Sequence, residues 1–270
     1  MPTFTHGSAT ISYSDTGAPS GRPDAPTVFF GHALLFGGWM FRPQIAALKS
    51  QYRCIAIDWR GQGDSPATND GYDMDTLTDD AIALIESLDV APIHYVGLSM
   101  GGFVGQRIAA RRPELIRTLA LLDTSAGPAR DAAKYKLLSV IFRLMGIGVL
   151  RKPVLPMVFG PTFRADASNK PVIEEWERAL RRSRRSGISK ATIAVADRLP
   201  VENEIGRIQV PTLVIVGADD VATPPDESQR IVELIPGARL ATIPDSGHST
   251  TLEQPNIVTE LLLSLLTAAT

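Results

Sequence analysis

Ile93-His94-Tyr95-Val96-Gly97-Leu98-Ser99-Met100-Gly101-Gly102-Phe103 joins an apolar run to a helical pattern through a G-x-S-x-G pentapeptide. Residues 93–96 read as a buried strand and 103–111 as the helix behind it. A serine at that junction must turn the chain within one or two residues. The flanking glycines leave room where a side chain would strike the helix or the neighbouring strand. The hydroxyl then stands above the sheet edge, beside the free N–H groups that open the helix. A nucleophile needs that placement. The plainer reading, an ordinary serine in a glycine-rich turn, is weighed by the pattern around it.

That pattern repeats the same rhythm. Strands are predicted over 9–14, 27–30, 52–57, 119–122, 212–216 and 240–243, and helices over 41–49, 74–88, 226–234 and 255–266. Residues 15–26, rich in Gly, Pro and Ser, read as a loop. The 74–88 segment places Leu77, Ile82, Leu84, Ile85 and Leu88 at helical spacing. Apolar runs without alternation, separated by helices, predict an α/β fold with a parallel sheet buried on both faces.

Residues 124–207 break the rhythm. They hold no convincing strand but carry helical patterns over 132–150, 171–185 and 190–199. We read a core made of 1–123 and 208–270, with 124–207 as a helical cap. Its apolar content, including Phe142, Leu144, Met145 and Trp176, serves either a small subdomain core or an apolar pocket. The run Arg181-Arg182-Ser183-Arg184-Arg185 reads as a solvated helix face.

Bulk properties narrow the function classes. The net charge of −2 provides no global field for nucleic acid or an anionic membrane. Cys54, the single cysteine, cannot form an internal disulfide and sits in an apolar run. No Cys or His spacing indicates a zinc site. The N-terminal residues show no signal-peptide pattern, and no apolar run approaches the roughly 20 residues that span a bilayer. The expectation is a cytoplasmic enzyme without stable membrane insertion, nucleic-acid partner, metal or cofactor.

A serine hydroxyl needs a base near neutral pH, and histidine is the usual one. Four histidines allow elimination. His6 lies far from any strand's C-terminal end, and His94 starts its strand at the wrong sheet edge. His32 is on the correct edge but precedes the serine. His248, just after the last predicted strand, is the best base, because catalytic groups gather at the C-terminal ends of parallel strands. The base in turn needs a carboxylate. Asp219, Asp220 and Asp123 each follow a strand, and all three keep the order serine, acid, histidine. The residue after the nucleophile, Met100, is one expected oxyanion donor.

Four motifs together resemble the α/β-hydrolase family, in its compact capped esterase and lactonase branch. They are the Gly97–Gly101 pentapeptide, Asp58-Trp59-Arg60-Gly61-Gln62-Gly63-Asp64-Ser65, the segment 217–224, and Gly247-His248. The resemblance covers nearly the whole chain and implies a mostly parallel eight-stranded sheet flanked by helices. It implies that the acid is Asp220, in a pattern like G-x-x-D-x-x-x-P, with Asp123 the position some relatives use instead. It also implies that Leu34 supplies the second oxyanion N–H. The family usually reads His-Gly-x there, and this chain reads His32-Ala33-Leu34, so the backbone angle at Ala33 matters. His32 is expected to brace that turn. Asp58 and Arg60 are expected to satisfy backbone groups or each other.

The resulting expectation is a serine hydrolase of small-molecule esters or lactones, with Phe36, Trp39, Phe103, Leu144 and Met145 as pocket candidates. A carbon–carbon bond hydrolase with the same triad is an alternative, favoured by a basic residue in the pocket. A ligand receptor on the same fold and a peroxide-using perhydrolase are others. A single sequence fixes neither the substrate nor the oligomeric state.

Overall fold

The computed structural model describes residues 1–268. Eight strands form one sheet: β1 (Thr3–His6), β2 (Ala9–Asp15), β3 (Thr27–Gly31), β4 (Arg53–Ile57), β5 (Ile93–Leu98), β6 (Ile116–Leu122), β7 (Thr212–Gly217) and β8 (Arg239–Ile243). Their spatial order is β1-β2-β4-β3-β5-β6-β7-β8. β2 is antiparallel to both its neighbours, and the six strands from β4 to β8 pair in parallel.

Around the sheet run α1 (Arg42–Leu48), α2 (Met74–Ser87) and α3 (Met100–Arg111), followed between β6 and β7 by a helical insertion. It comprises α4 (Ala132–Met145), α5 (Ile147–Val158), α6 (Pro161–Ala165), α7 (Lys170–Arg182), α8 (Arg185–Ala196) and α9 (Glu202–Ile205). The chain closes with α10 (Pro225–Leu234), α11 (Thr250–Glu253) and α12 (Pro255–Thr267). Among the described residues no helix is long and apolar enough to cross a membrane.

Residues along each central strand alternate between two buried layers. Val28, Phe30, Cys54, Ala56, Val96 and Leu98 pack on one face with α12 and the insertion. Phe29, Ile55, Ile57, Tyr95, Leu119 and Val214 pack on the other, against α2, α3 and α10. Burial on both faces explains why the strands read as unbroken apolar runs.

Register brings the strand ends level. Gly31 pairs with Gly97, Leu98 with Leu122, and Leu122 with Ile215. The residues that follow these strands therefore emerge along one rim of the sheet.

Three details differ from the sequence reading. β1 lies in an exposed edge hairpin, where a four-residue strand leaves little apolar pattern. The 132–150 helix is two helices, broken at Gly146 with φ 75°. The 171–185 helix stops at Ser183, whose extended backbone separates α7 from α8.

Candidate active site

Ser99 sits between β5 and α3 with φ 52° and ψ −109°, a region a non-glycine residue adopts only under constraint. The constraints are visible. Ser99 N–H donates to Leu122 O at 2.8 Å, and Thr124 Oγ1 donates to Ser99 O at 2.9 Å. Gly101 N–H donates to His32 O at 3.1 Å, tying the start of α3 to the β3 loop. A Cβ on Gly101 would overlap the carbonyl oxygen of Gly31, and one on Gly97 would overlap that of Gly101. The two glycines therefore mark backbone contacts in which no side chain fits.

His248 follows β8 in the loop that leads into α11. Its Nδ1 lies 2.8 Å from Asp220 Oδ2 and 3.3 Å from Thr223 Oγ1. The other Asp220 oxygen accepts the N–H groups of Ala222 at 2.8 Å and Thr223 at 3.1 Å. Burial disfavours the His248 cation, yet the Asp220 charge and hydrogen bond, with Asp123 and Glu253 behind them, hold its pKa above the ordinary value.

Of the three acid candidates, Asp220 touches the imidazole. Asp123 is fully buried beneath it and bonds elsewhere: Oδ1 accepts Gly217 N–H at 2.9 Å, and Oδ2 meets Thr250 Oγ1 at 2.6 Å. Burial, then the Asp220 charge, pushes the Asp123 carboxyl up to about 8. Asp219 places its N–H on Ser246 O at 2.9 Å and makes no bond to His248 among the described residues.

The β3 loop is held by its own network. His32 Nδ1 lies 2.7 Å from Ala33 O, and Nε2 accepts Trp59 N–H at 3.0 Å. Burial pushes His32 down to about 3, so the ring is a neutral brace. Ala33 is not among the positive-φ residues; Leu35 takes that conformation, at 71°, with its N–H on Gln62 Oε1 at 2.9 Å. Alanine in place of the usual glycine therefore carries no such strain. Asp58 accepts Gly38 N–H at 2.6 Å and Asp64 N–H at 2.8 Å. Arg60 turns away from Asp58 and forms a two-bond ion pair with Asp80, at 2.6 and 2.8 Å.

Ser99 and His248 line one two-lobed space. One lobe is apolar, walled by Leu34, Phe142, Leu150, Val154, Met157 and Ile188. The other carries Phe103, Arg130, Lys134, Tyr135 and Arg198. Among the described residues no hydrogen bond joins Ser99 Oγ to His248. The helical insertion supplies most of the apolar wall. It is moored to the sheet side by Lys190 Nζ on Thr68 O and Asn69 O, at 2.9 and 2.8 Å.

The pocket candidates divide. Phe103 lines the polar lobe. Phe36 and Trp39 line a neighbouring cleft with Arg42 and Arg178, outside the space that holds Ser99. Leu144 and Met145 are 71% and 56% exposed and do not reach the pocket. Helical spacing explains Leu144: Tyr135, Leu138 and Phe142 occupy the inward stripe of α4, and residue 144 falls on the opposite face; Met145 is the last residue of the helix, at the end of that stripe and beyond the cavity.

Glu253 was not legible in the sequence. Its buried carboxylate accepts the N–H groups of Gly247 and Ser249, both at 3.0 Å, and of Gly160 at 2.9 Å. It thus grips the backbone on both sides of His248. Burial raises its pKa, although these bonds and His248 oppose the rise. A glutamate on α11, five residues past the histidine, was the available signal. Among the described residues no cluster of His, Cys, Asp or Glu suited to a metal ion occurs.

Comparison with known proteins identifies the family and the fold. A family model described as "Alpha/beta hydrolase family" matches residues 28–261. The chain is 29% identical over 258 residues to 3-oxoadipate enol-lactonase 2 of Acinetobacter baylyi, covering 94% of each. The enol-lactonase from Burkholderia xenovorans LB400 superimposes with a TM-score of 0.91 at 27% identity, over 98% of this chain and 100% of that one. A thermophilic esterase from Thermogutta terrifontis gives 0.87 at 26% identity, over 97% and 94%.

Proposed function

The chain belongs to the alpha/beta hydrolase family, and from that premise we propose that it cleaves carboxylic esters or lactones through an acyl-enzyme on Ser99. One observation carries this reading. A serine held at φ 52° on a sheet rim shares an apolar cavity with a histidine whose far nitrogen meets a buried carboxylate.

In the proposed reaction Ser99 Oγ attacks the substrate carbonyl while His248 Nε2 takes its proton. That transfer needs the Ser99 hydroxyl turned toward Nε2, a hydrogen bond that commonly tightens only when substrate orders such a site. Asp220 accepts Nδ1–H, fixes the tautomer and stabilises the imidazolium. The negative oxygen of the tetrahedral intermediate lies toward the N–H groups of Met100 and Leu34. Met100 opens α3, where an N–H has no intrahelical acceptor. Leu34 faces the same cavity. Each such donor typically contributes about 10²–10³-fold in turnover. His248 then returns its proton to the leaving alkoxide, and a water it deprotonates releases the acid.

The insertion, residues 124–207, acts in this reading as a cap whose inner face selects the apolar part of the substrate. The relatives' printed names, enol-lactonase and esterase, support the reaction class. The test is a panel of p-nitrophenyl esters of rising chain length and simple lactones, with Ser99→Ala in parallel. Hydrolysis that disappears in Ser99→Ala supports the reading. A wild type inactive on every member defeats it.

Arg198 in the polar lobe favours a second reading, a carbon–carbon bond hydrolase acting on a dienone-like acid. Cleavage of such a compound, with esters untouched, would select it.

A further inference from the structure

Arg198 follows α8 and lines the polar lobe of the space that Ser99 and His248 share. Its guanidinium lies over the Phe103 ring, 4.3 Å from the centroid. Nη2 donates to Ser125 Oγ at 2.9 Å and Nη1 to Val195 O at 3.0 Å. Its Nε is buried without an acceptor, and among the described residues no carboxylate pairs with it.

That is unlike Arg60 and Arg107, the buried arginines, whereas Arg117 shares a buried Nε without an acceptor. Arg60 is matched by Asp80, and Arg107 by Asp75 at 3.1 Å. Arg198 is half-buried, and a cation drawn out of water is ordinarily paired, because low-dielectric surroundings disfavour an isolated charge. Burial lowers the Arg198 pKa only to about 10, so it stays cationic at neutral pH. No carboxylate among the described residues bonds to it, although the Glu227 charge acts on it at longer range. Arg130 is neutralised by Asp226 and Glu227. Asp131, the one carboxylate on the lining, is exposed and comes with the uncompensated Lys134.

The two lobes meet at Ser99 and His248, and they differ in chemistry: one is apolar, the other holds an unpaired cation. We propose that Arg198 receives a carboxylate carried by the substrate. The favoured substrates are then anionic esters or lactones, with an acid group a few atoms from the scissile carbonyl and the apolar portion under the cap. This rests on the ester-hydrolase reading above. Arg198 is a specificity-determining residue in it, and its planar fork suits two-point recognition of a carboxylate.

The test uses one acyl chain with and without charge: mono-p-nitrophenyl glutarate against its methyl ester. The wild type should prefer the anionic ester by at least tenfold in kcat/KM. Arg198→Met should reduce that preference at least tenfold, and Arg198→Lys should keep part of it. A merely structural role would lower both rates together and leave the ratio unmoved, which would overturn the proposal, as would a wild-type ratio of one or less. A calorimetric titration of the Ser99→Ala protein with glutarate and with valerate reads the same recognition without turnover. Glutarate should bind at least tenfold more tightly, and equal binding overturns the proposal. If neither ester is hydrolysed but glutarate still binds preferentially, the ester reading fails while the anion site stands.

Discussion

His248 Nδ1 lies 2.8 Å from Asp220 Oδ2, while the carboxylate of Asp123, one strand away along the same rim, bonds among the described residues to Gly217 and Thr250 instead. The two carboxylates therefore have different predicted effects. Asp220→Asn should lower kcat by about 10⁴-fold, the scale seen when a triad acid loses its charge and the histidine takes the wrong tautomer. Steady-state kinetics on one p-nitrophenyl ester reads this. A larger loss from Asp123→Asn would transfer the role to Asp123.

Asp123 should matter chiefly to stability. Its oxygens satisfy the backbone at the start of the Asp220 loop and the hydroxyl just after His248. Asp123→Ala leaves those groups buried and unpaired, at a cost of about 1–3 kcal/mol per group. Urea denaturation followed by far-UV dichroism measures it, and an unchanged midpoint would refute the assignment.

The pH profile follows from the His248 environment. The acting base is the neutral imidazole, so kcat/KM falls as pH drops through the folded-state pKa. Asp220 holds that pKa above the ordinary 6.5 despite burial. The acid limb should therefore lie above 6.5 in the wild type. Activity remaining in Asp220→Asn should show a limb displaced to lower pH. A limb that does not move would remove Asp220 as the principal partner.

Backbone crowding at the turn predicts a sharp contrast between glycines. Gly101→Ala drives a Cβ into Gly31 O, so it should destabilise the fold by about 3 kcal/mol or more or prevent folding. Gly127→Ala meets only Glu227 Oε2, at 3.9 Å, and should stay within about 0.5 kcal/mol. Thermal melts of the two variants side by side make the comparison, and equal melting points would contradict it.

Much of this architecture was written in local pattern. The turn at 97–101, the apolar strands and the placement of Ser99 and His248 after strands all follow from short-range spacing. What stayed hidden was set by contacts between distant segments. The inward stripe of α4 depends on helix phase, so Phe142 faces the cavity while Leu144 faces water, and Met145 is exposed where the helix ends. The break at Gly146 looked like one more helical residue. Arg198 sits over Phe103, 95 positions earlier in the chain, and Glu253 grips Gly160, 93 positions away. Neither pairing has a signature that one sequence displays. Spacing alone left Asp220 beside Asp219 and Asp123, and only the family resemblance pointed to Asp220.

The inner face of α4 gives a prediction about chain length. Phe142→Ala should enlarge the apolar lobe and move the preferred acyl chain to greater length, at a stability cost of about 3–5 kcal/mol. Leu144→Ser, on the outer face, should leave the chain-length profile of the wild type in place. The ester panel run on both variants reads the outcome, and a profile altered by Leu144→Ser would contradict the orientation of this helix.

The covalent intermediate itself is the most direct test. Acid-quenching the protein within its first turnovers on a p-nitrophenyl ester, followed by intact-mass and peptide mass spectrometry, should find one acyl group, on Ser99. The Ser99→Ala protein should carry none and hydrolyse nothing above background. An acyl group mapped to another side chain, or full turnover in Ser99→Ala, would contradict the account.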